Sequence, residues 1–314
     1  MAPSISPDSP VRPCLKWAGG KTQLLREITR LFPPELRSGG ISTYIEPFVG
    51  GGAVFFAVQP RYRFIQSVLC DANEDLVLCY RALQRSPARL VNCLRRLEDR
   101  YRAADEPGRR QLYYDTRDTF NREKRDFQYL RYHAGWIERA AQILFLNRTC
   151  YNGLFRMNRN GEFNVPFGKY KNPDILNEPV LLRAAKALET TRILSGDFTR
   201  CRKYADAHTF IYFDPPYRPL NPTSSFTSYA RQGFSDRDQE RLAKFFRDLD
   251  RKGAKLMLSN SDPRNEDPKD NFFEDLYADF HITRTTAKRI INCNGNRRGK
   301  IHELIITNYD PPGP

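Results

Sequence analysis

The sequence is poor in the residues that build metal sites and in the runs that cross membranes. It has four histidines, His133, His208, His281 and His302, each isolated from the others. Its seven cysteines, Cys14, Cys70, Cys79, Cys93, Cys150, Cys201 and Cys293, form no Cys-x-x-Cys pair. Ligands so dispersed offer no zinc spacing, and no metal is expected. No apolar run approaches the roughly 18 residues of a membrane span, so no membrane partner is expected. The opening segment, MAPSISPDSPVRP, lacks the apolar core of a signal peptide. It is rich in proline and serine, and residues 1–12 read as a disordered lead-in. Without a secretion signal the cysteines read as reduced thiols of a cytoplasmic protein.

Acidic residues are also in deficit, 37 against 51 basic, which gives a net charge of +14 and a pI of about 9.5. A balance so basic points to a polyanionic partner. The basic residues cluster. Between Arg284 and Lys300 lie Arg284, Lys288, Arg289, Arg297, Arg298 and Lys300 with no acid among them. Between Arg148 and Lys171 lie Arg148, Arg156, Arg159, Lys169 and Lys171 against the single acid Glu162.

Periodicity gives an α/β chain. STYIEPFVGGGAVFF (42–56) reads as a strand, a glycine turn and a helix start; FIQSVLCDANEDLV (64–77) reads as a strand ending at Asp71 with a helix opening near Asn73. From about 75 to 145 the pattern is helical with charged faces. The stretch 146–173 is rich in Asn, Gly, aromatics and Arg, and its NRNGEF carries an Asn-Gly turn that predicts a hairpin. A helix is expected at 178–190 and another at 235–251, with strands at 192–196, 209–213, 255–260 and 303–308. Strands alternating with helices at both ends, around a helical middle, predict a sheet with an inserted subdomain. The segment 284–300 reads as a basic loop.

Three motifs bear on chemistry. WAGGKT (17–22) contains Gly-Lys-Thr, but a phosphate loop needs a glycine where this chain has Leu15, so nucleotide hydrolysis is excluded there. EPFVGGG (46–52) ends a strand on glycines, which lets a ligand approach the backbone. Asp71 follows Gly52 by 19 residues at the end of the next strand, where a carboxylate can accept ribose hydroxyls. DPPY (214–217) closes the strand TFIYF with a carboxylate, a rigid double proline and an aromatic face. Asp214 and the Pro215 carbonyl form a pair of acceptors suited to an exocyclic amino group, and Tyr217 offers a plane for a base drawn out of a duplex. A second DPPG, at 310–313, has no strand before it and no aromatic after it, and is assigned nothing.

The segments LKWAGGK, EPFVGGG, LCDANEDL, LNRTCYNGLFRMNRNGEFNVPFGKYKNP and YFDPPYRPL, in that order, resemble the Dam family of adenine-N6 DNA methyltransferases, the D12 class, alpha group. The resemblance runs from about Pro13 to Tyr309 and is strongest to GATC-recognising members of restriction–modification systems. It implies a Rossmann-like S-adenosylmethionine-dependent methyltransferase sheet, from 13–74 and 191–309. It also implies a helical insert, 75–190, carrying a recognition hairpin at about 147–171, and a tail, 310–314. Implied cofactor contacts are Trp17, Lys21, Phe48, Gly50, Gly52, Asp71, Asp197 and Asp214, with S-adenosylhomocysteine as product. The catalytic set is Asp214, Pro215, Pro216 and Tyr217. Lys16, Tyr151, Asn152, Leu154, Arg156, Lys169 and Tyr170 match family positions that touch DNA, and the basic clusters add Arg148, Arg297 and Arg298. Some relatives carry arginine where this chain has Lys169, which exchanges a bidentate fork for a point charge. The reaction implied is methyl transfer to N6 of a flipped adenine in double-stranded DNA, within GATC, in the bacterial cytosol. A monomer is the working expectation. The same acceptor-Pro-Pro-aromatic device would also serve cytosine N4 in DNA or adenine in RNA, and a DNA-binding protein without turnover is the remaining alternative.

Overall fold

A computed structural model describes residues 11–17, 19–218, 234–288 and 300–312. Along the chain the elements are α1 (Leu25–Arg30), α2 (Pro34–Ser38), β1 (Thr43–Glu46), α3 (Ala53–Val58), β2 (Gln66–Asp71), α4 (Glu74–Arg85), α5 (Pro87–Ala103), α6 (Glu106–Glu123) and α7 (Gly135–Thr149). They continue with α8 (Glu178–Leu188), β3 (Thr191–Ser195), β4 (Thr209–Phe213), α9 (Asp236–Asp250), β5 (Lys255–Ser261), α10 (Phe272–Leu276), β6 (His281–Lys288) and β7 (Lys300–Thr307). No helix among the described residues is long and apolar enough to cross a membrane.

The strands form a seven-stranded sheet in the order β3-β2-β1-β4-β5-β7-β6. β1 runs parallel to both β2 and β4, and β4 parallel to β5. β7 is antiparallel to β5 and to β6. The connection order reverses between β1 and β4, and in an open α/β sheet the crevice beyond the carboxyl ends of such strands is where ligands bind. β4 is buried at every position, as expected of a strand covered on both faces.

Local signals set the boundaries. The Asn73 side chain accepts the Leu76 N–H and starts α4, and Glu74 and Asp75 complement the positive end of that helix. Ser235 and Asp238 exchange side-chain and backbone bonds in a capping box that starts α9.

Two compact units result. One comprises Met1–Gly20, Gly50–Arg61 and Asp71–Gly196. Its helices bury Tyr80, Leu90, Leu94, Tyr101, Tyr113, Phe120 and Phe145, and an ion pair between Arg139 and Asp75 (0% and 2% exposed, 2.8 Å). The Arg139 guanidinium stacks on Phe120 and Phe127, and Lys124 and Tyr129 complete the bonding of Asp75. The other unit comprises Lys21–Val49, Tyr62–Cys70 and Asp197–Pro314. Its core has Ile45, Ile211, Phe213, Leu256 and Leu258 on one face of the sheet, where Phe213 packs on Phe245 and Phe246 of α9, and Tyr44 and Phe210 on the other, where Phe210 packs on Phe32.

Two expectations are corrected. The hairpin at 147–171 consists of two single bridges, Cys150 to Phe167 and Met157 to Phe163, not of continuous strands. Its turn is closed by the Asn158 N–H donating to the Glu162 carbonyl (2.8 Å), with Gly161 at φ 78°. Beyond the turn the arms share a few backbone bonds, Asn164 N–H to the Arg156 carbonyl and Tyr151 N–H to the Pro166 carbonyl, and α6 supplies others. Asn121 bonds both the N–H and the carbonyl of Phe163, and the Tyr113 hydroxyl donates to the Val165 carbonyl. The basic segment 284–300 is not a loop throughout. Arg284 to Lys288 belong to β6, Lys300 opens β7, and Arg289 lies with residues 290–299 outside the described residues.

Candidate active site

The strand β4 delivers Asp214 to the carboxyl edge of the sheet beside the order reversal. Lys21, 6% exposed, donates from Nζ to Asp214 Oδ1 at 2.7 Å, and Asp214 is 22% exposed. The Ser259 hydroxyl donates to the same oxygen at 3.0 Å and is itself bonded to the Tyr212 hydroxyl at 2.9 Å. Burial raises the Asp214 pKa, and the Lys21 and Ser259 bonds oppose that rise without cancelling it. A carboxylate has about four lone-pair sites, so acceptor capacity remains after these two bonds.

The turn that follows is fixed from several sides. Pro215 and Pro216 lock two successive φ angles. The Gln239 side chain donates to the Pro216 carbonyl at 3.2 Å, and Asn260, also fully buried, donates to Gln239. Tyr217 presents its ring to Lys21, whose Nζ lies 4.4 Å from the centroid. The Tyr217 hydroxyl donates to Glu303 Oε2 at 2.6 Å. Burial, together with Asp214 and Glu303, raises the phenol pKa well above its ordinary value, so the hydroxyl stays a donor. Arg218 then anchors the chain through Asp236 (2.9 Å) and Asp270 (2.6 Å) and stacks on Phe272. Pro219 and Leu220 lie outside the described residues.

In the same unit Phe48 packs against Phe198 and edge-on to Phe234. Asp197 caps the turn that Phe198 begins, accepting from the Thr199 N–H and hydroxyl. Its other oxygen accepts from Arg241 at 2.8 Å. Burial works against ionisation of Asp197, but the Arg241 and Thr199 bonds outweigh it and hold the carboxyl below its ordinary range.

The first unit holds the glycine turn. Gly50 has φ +47° and Gly52 φ +71°, both left-handed. A Cβ on Gly50 would sit 3.0 Å from Trp17 Cδ1, so the indole occupies the space that the missing side chain leaves. Trp17 also stacks on Phe155, with ring centroids 5.3 Å apart. Asp71 accepts from the Gly50 N–H at 3.0 Å and from the Asn73 N–H at 2.9 Å, while the Tyr80 hydroxyl donates to the Gly50 carbonyl at 2.8 Å. Burial raises the Asp71 pKa, opposed by the N–H groups of Asn73, Gly50 and Ala72. Trp17, Gly50, Gly52 and Asp71 are thus brought together in this unit, and Lys21, Asp214 and Tyr217 in the other.

Residues expected to meet DNA differ in what they leave available. Tyr151 is 55% exposed, and Asn152, Arg156 and Lys169 are also exposed. Asn152 and Lys169 both take left-handed backbone, φ 57° and 55°, uncommon for residues with a side chain. The Asn152 N–H donates to the Tyr170 hydroxyl, and the Arg156 Nε donates to Asn164 Oδ1. Lys16 lies 5.9 Å over the Tyr170 ring, and its backbone N–H and carbonyl are both held by the buried Asn147 side chain. Leu154 is half-buried. Arg148 spends a guanidinium donor on the Cys14 carbonyl at 2.8 Å, a bond that ties the N-terminal segment to α7. Arg284 is bonded to Asp262 at 2.8 Å and to Glu274, so its charge is neutralised within the protein. Arg297 and Arg298 lie outside the described residues.

Sequence reading did not single out Ser259, Gln239, Asn260 or Glu303. The first three follow from β5 and α9, where buried polar side chains stand among apolar ones; only the fold shows that they face the DPPY turn.

A mostly parallel seven-stranded sheet, inverted at β7 and carrying an acid-Pro-Pro-Tyr turn at its order reversal, is the architecture of a Rossmann-like methyltransferase. Comparison with known proteins gives the family. Residues 17–291 match the D12 class N6 adenine-specific DNA methyltransferases. The chain is 51% identical over 300 residues to the Type II methyltransferase M.MjaIII of Methanocaldococcus jannaschii, covering 95% of this chain and 99% of that protein. It is 38% identical over 301 residues to the Type II methyltransferase M1.LlaDCHI of Lactococcus lactis, covering 95% and 96%. It is 33% identical over 308 residues to the DNA adenine methylase of Escherichia coli K12, covering 96% of each. The chain therefore belongs to the D12 class of N6 adenine-specific DNA methyltransferases, enzymes whose substrate is DNA.

Proposed function

We propose that this enzyme takes its methyl group from S-adenosylmethionine and delivers it to N6 of an adenine drawn out of double-stranded DNA, within GATC. The observation that supports this reading most is the grouping of Asp214, Lys21 and the Tyr217 ring at the end of β4.

The residues present fit such a methyl donor. The Gly50–Gly52 turn brings bare backbone beside Trp17, and Asp71 keeps acceptor capacity for a hydroxyl after its N–H bonds. Lys21, Asp214 and Asp197 supply one ammonium and two carboxylates for a ligand that itself carries charges of both signs. On this reading Trp17, Lys21, Phe48, Gly50, Gly52, Asp71, Asp197 and Asp214 hold it. When bound, it supplies an electrophilic methyl group on a sulfonium.

The rest is done by the protein. Adenine N6 is a weak nucleophile because its lone pair is delocalised into the ring. Asp214 and the Pro215 carbonyl would each accept one amino hydrogen, which concentrates the lone pair on N6 as positive charge develops there. The prolines hold both acceptors in place beforehand, so little reorganisation is needed. Tyr217 would stack on the extruded base. Within the helical stretch 75–190, Tyr151 would fill the vacated stack, and Arg156 would read a guanine edge. Asn152, Leu154, Lys169, Tyr170 and Lys16 would line the duplex beside them, with Arg148 supporting the segment and Arg297 and Arg298 holding phosphates. The setting would be the cytoplasm.

A plasmid methylated in vitro, with modified adenines mapped, tests the sequence. N6-methyladenine confined to GATC supports the reading; methylation spread over other tetranucleotides would remove GATC from it.

A further inference from the structure

Glu303 stands on β7, paired with Ser261 of β5 and with Thr285 of β6. Directly opposed residues of antiparallel strands project to one face, and Ser259 shares that face with Ser261 because side chains alternate along a strand. Ser259 is the residue that bonds Asp214. The face of the sheet that supports the catalytic carboxylate therefore also carries a second carboxylate.

Among the described residues, that second carboxylate accepts from the Tyr217 hydroxyl, at 2.6 Å. The length is that of a bond to an ionised acceptor. Among the described residues, the charged and titratable groups facing the pair are Lys21, Asp214 and Tyr212. Burial raises the Glu303 pKa; Lys21 and the Tyr217 bond oppose the rise, and Asp214 adds to it. Tyr217 is thus held at two points, by Lys21 at its face and by Glu303 at its far end. The backbone before it is already fixed by two prolines and by Gln239 at the Pro216 carbonyl. The freedom left to Tyr217 is the swing of its side chain about the Cα–Cβ bond, and a hydrogen bond at the far end of the ring removes it.

We propose that Glu303 is a positioning residue for methyl transfer: its bond to the Tyr217 hydroxyl fixes the far end of the ring that holds the adenine, with Lys21 at the ring's face, and so sets the approach of the amino group to Asp214. This rests on the reading of Tyr217 as the stacking face. Glu303 itself touches neither the base nor the methyl donor in this scheme. Its effect therefore belongs in the rate of transfer and not in the affinity for either substrate.

The test is a cycle of Glu303→Met, which keeps the length of the side chain and removes the acceptor, Tyr217→Phe and the double variant, assayed at steady state with DNA and methyl donor each varied. Each single variant is expected to lower kcat by about tenfold with KM values within about twofold of wild type, and the double variant to be no worse than Tyr217→Phe alone. A thermal melt reports that each variant is folded. Should Glu303→Met fail to fold, Tyr217→Phe alone still decides: it removes the same bond, so wild-type kcat in it overturns the proposal and a tenfold loss supports it. Losses that multiply in the double variant, or a Glu303→Met kcat within about twofold of wild type, would likewise overturn it. Tyr217→Ala separates the two levels. Wild-type turnover in that variant defeats the stacking reading and this proposal together; lost turnover alongside multiplicative losses in the cycle defeats this proposal alone.

Discussion

Replacing Asp214 by alanine should damage turnover far more than folding. The side chain accepts from Lys21 at 2.7 Å and from Ser259 at 3.0 Å, so its removal strands an ammonium that is 6% exposed. Truncating one partner of a fully buried ion pair costs about 3–5 kcal/mol. Asp214 is 22% exposed and Lys21 also faces Glu303, which moves the expected cost to about 2–3 kcal/mol. The kinetic loss should be larger because the carboxylate matters most as charge builds on N6. Removal of one preorganised group of that kind costs about 10²–10³ in kcat. Asp214→Asn keeps the shape and one acceptor for Lys21 and Ser259, so it should lie between alanine and wild type in rate and within about 1 kcal/mol of wild type in stability. Single-turnover transfer of a labelled methyl group, at saturating DNA and donor, separates rate from binding. An alanine variant within about threefold of wild type under those conditions would refute the reasoning, as would a loss that vanishes when donor concentration is raised.

Gly50→Ala forces a Cβ to within 3.0 Å of Trp17 at a φ of +47°, and should weaken donor binding by at least about fivefold in calorimetry, since such strain costs about 1–3 kcal/mol; unchanged affinity would take the turn out of the site. Arg156→Ala should cost about 1–3 kcal/mol of discrimination between GATC and single-base variants, read from competition binding, with little change in non-specific affinity. Arg139→Met leaves Asp75 with Lys124 and Tyr129 only, and should cost about 2–4 kcal/mol in denaturant unfolding at pH 7. Burial works against ionised Asp75, but Arg139 and Lys124 hold its pKa below the ordinary value. A depressed folded-state pKa gives stability that is present above the unfolded value of about 3.9 and lost as pH falls through the folded value. The difference between wild type and Arg139→Met should therefore shrink as the pH is taken below about 4.

Strongly apolar strands and capped helices were legible in the sequence. TFIYF reads as a strand over 209–213 and is β4; the helix opening at Asn73 and the helix at 235–251 are likewise present, because burial and caps are local signals. β6 was not legible. HITRTTAK alternates β-branched residues with His, Arg and Lys and offers no apolar run, so its charges suggested a loop. Its pairing with β7 supplies what its own pattern lacks. The hairpin signal at Asn160-Gly161 marked a real turn, but not that Asn121 and Tyr113 would bond the backbone after it. In the site, DPPY announced itself by the chemistry of adjacent residues. The Lys21–Asp214 bond and the Tyr217–Glu303 bond join residues 193 and 86 positions apart, and spacing along the chain carries no information at that range.

The central claim is that the target adenine leaves the DNA stack to be held by Asp214 and Tyr217. Unpairing a base costs a few kcal/mol, and an enzyme that extrudes its target recovers that cost when the pairing is already weak. The most direct measurement compares affinity for two GATC duplexes, one intact and one with an abasic site opposite the target adenine. The account predicts at least about tenfold tighter binding to the second, and no such gain when the abasic site lies opposite a neighbouring base of the same sequence. Equal affinity for the intact duplex and the duplex weakened at the target would contradict it.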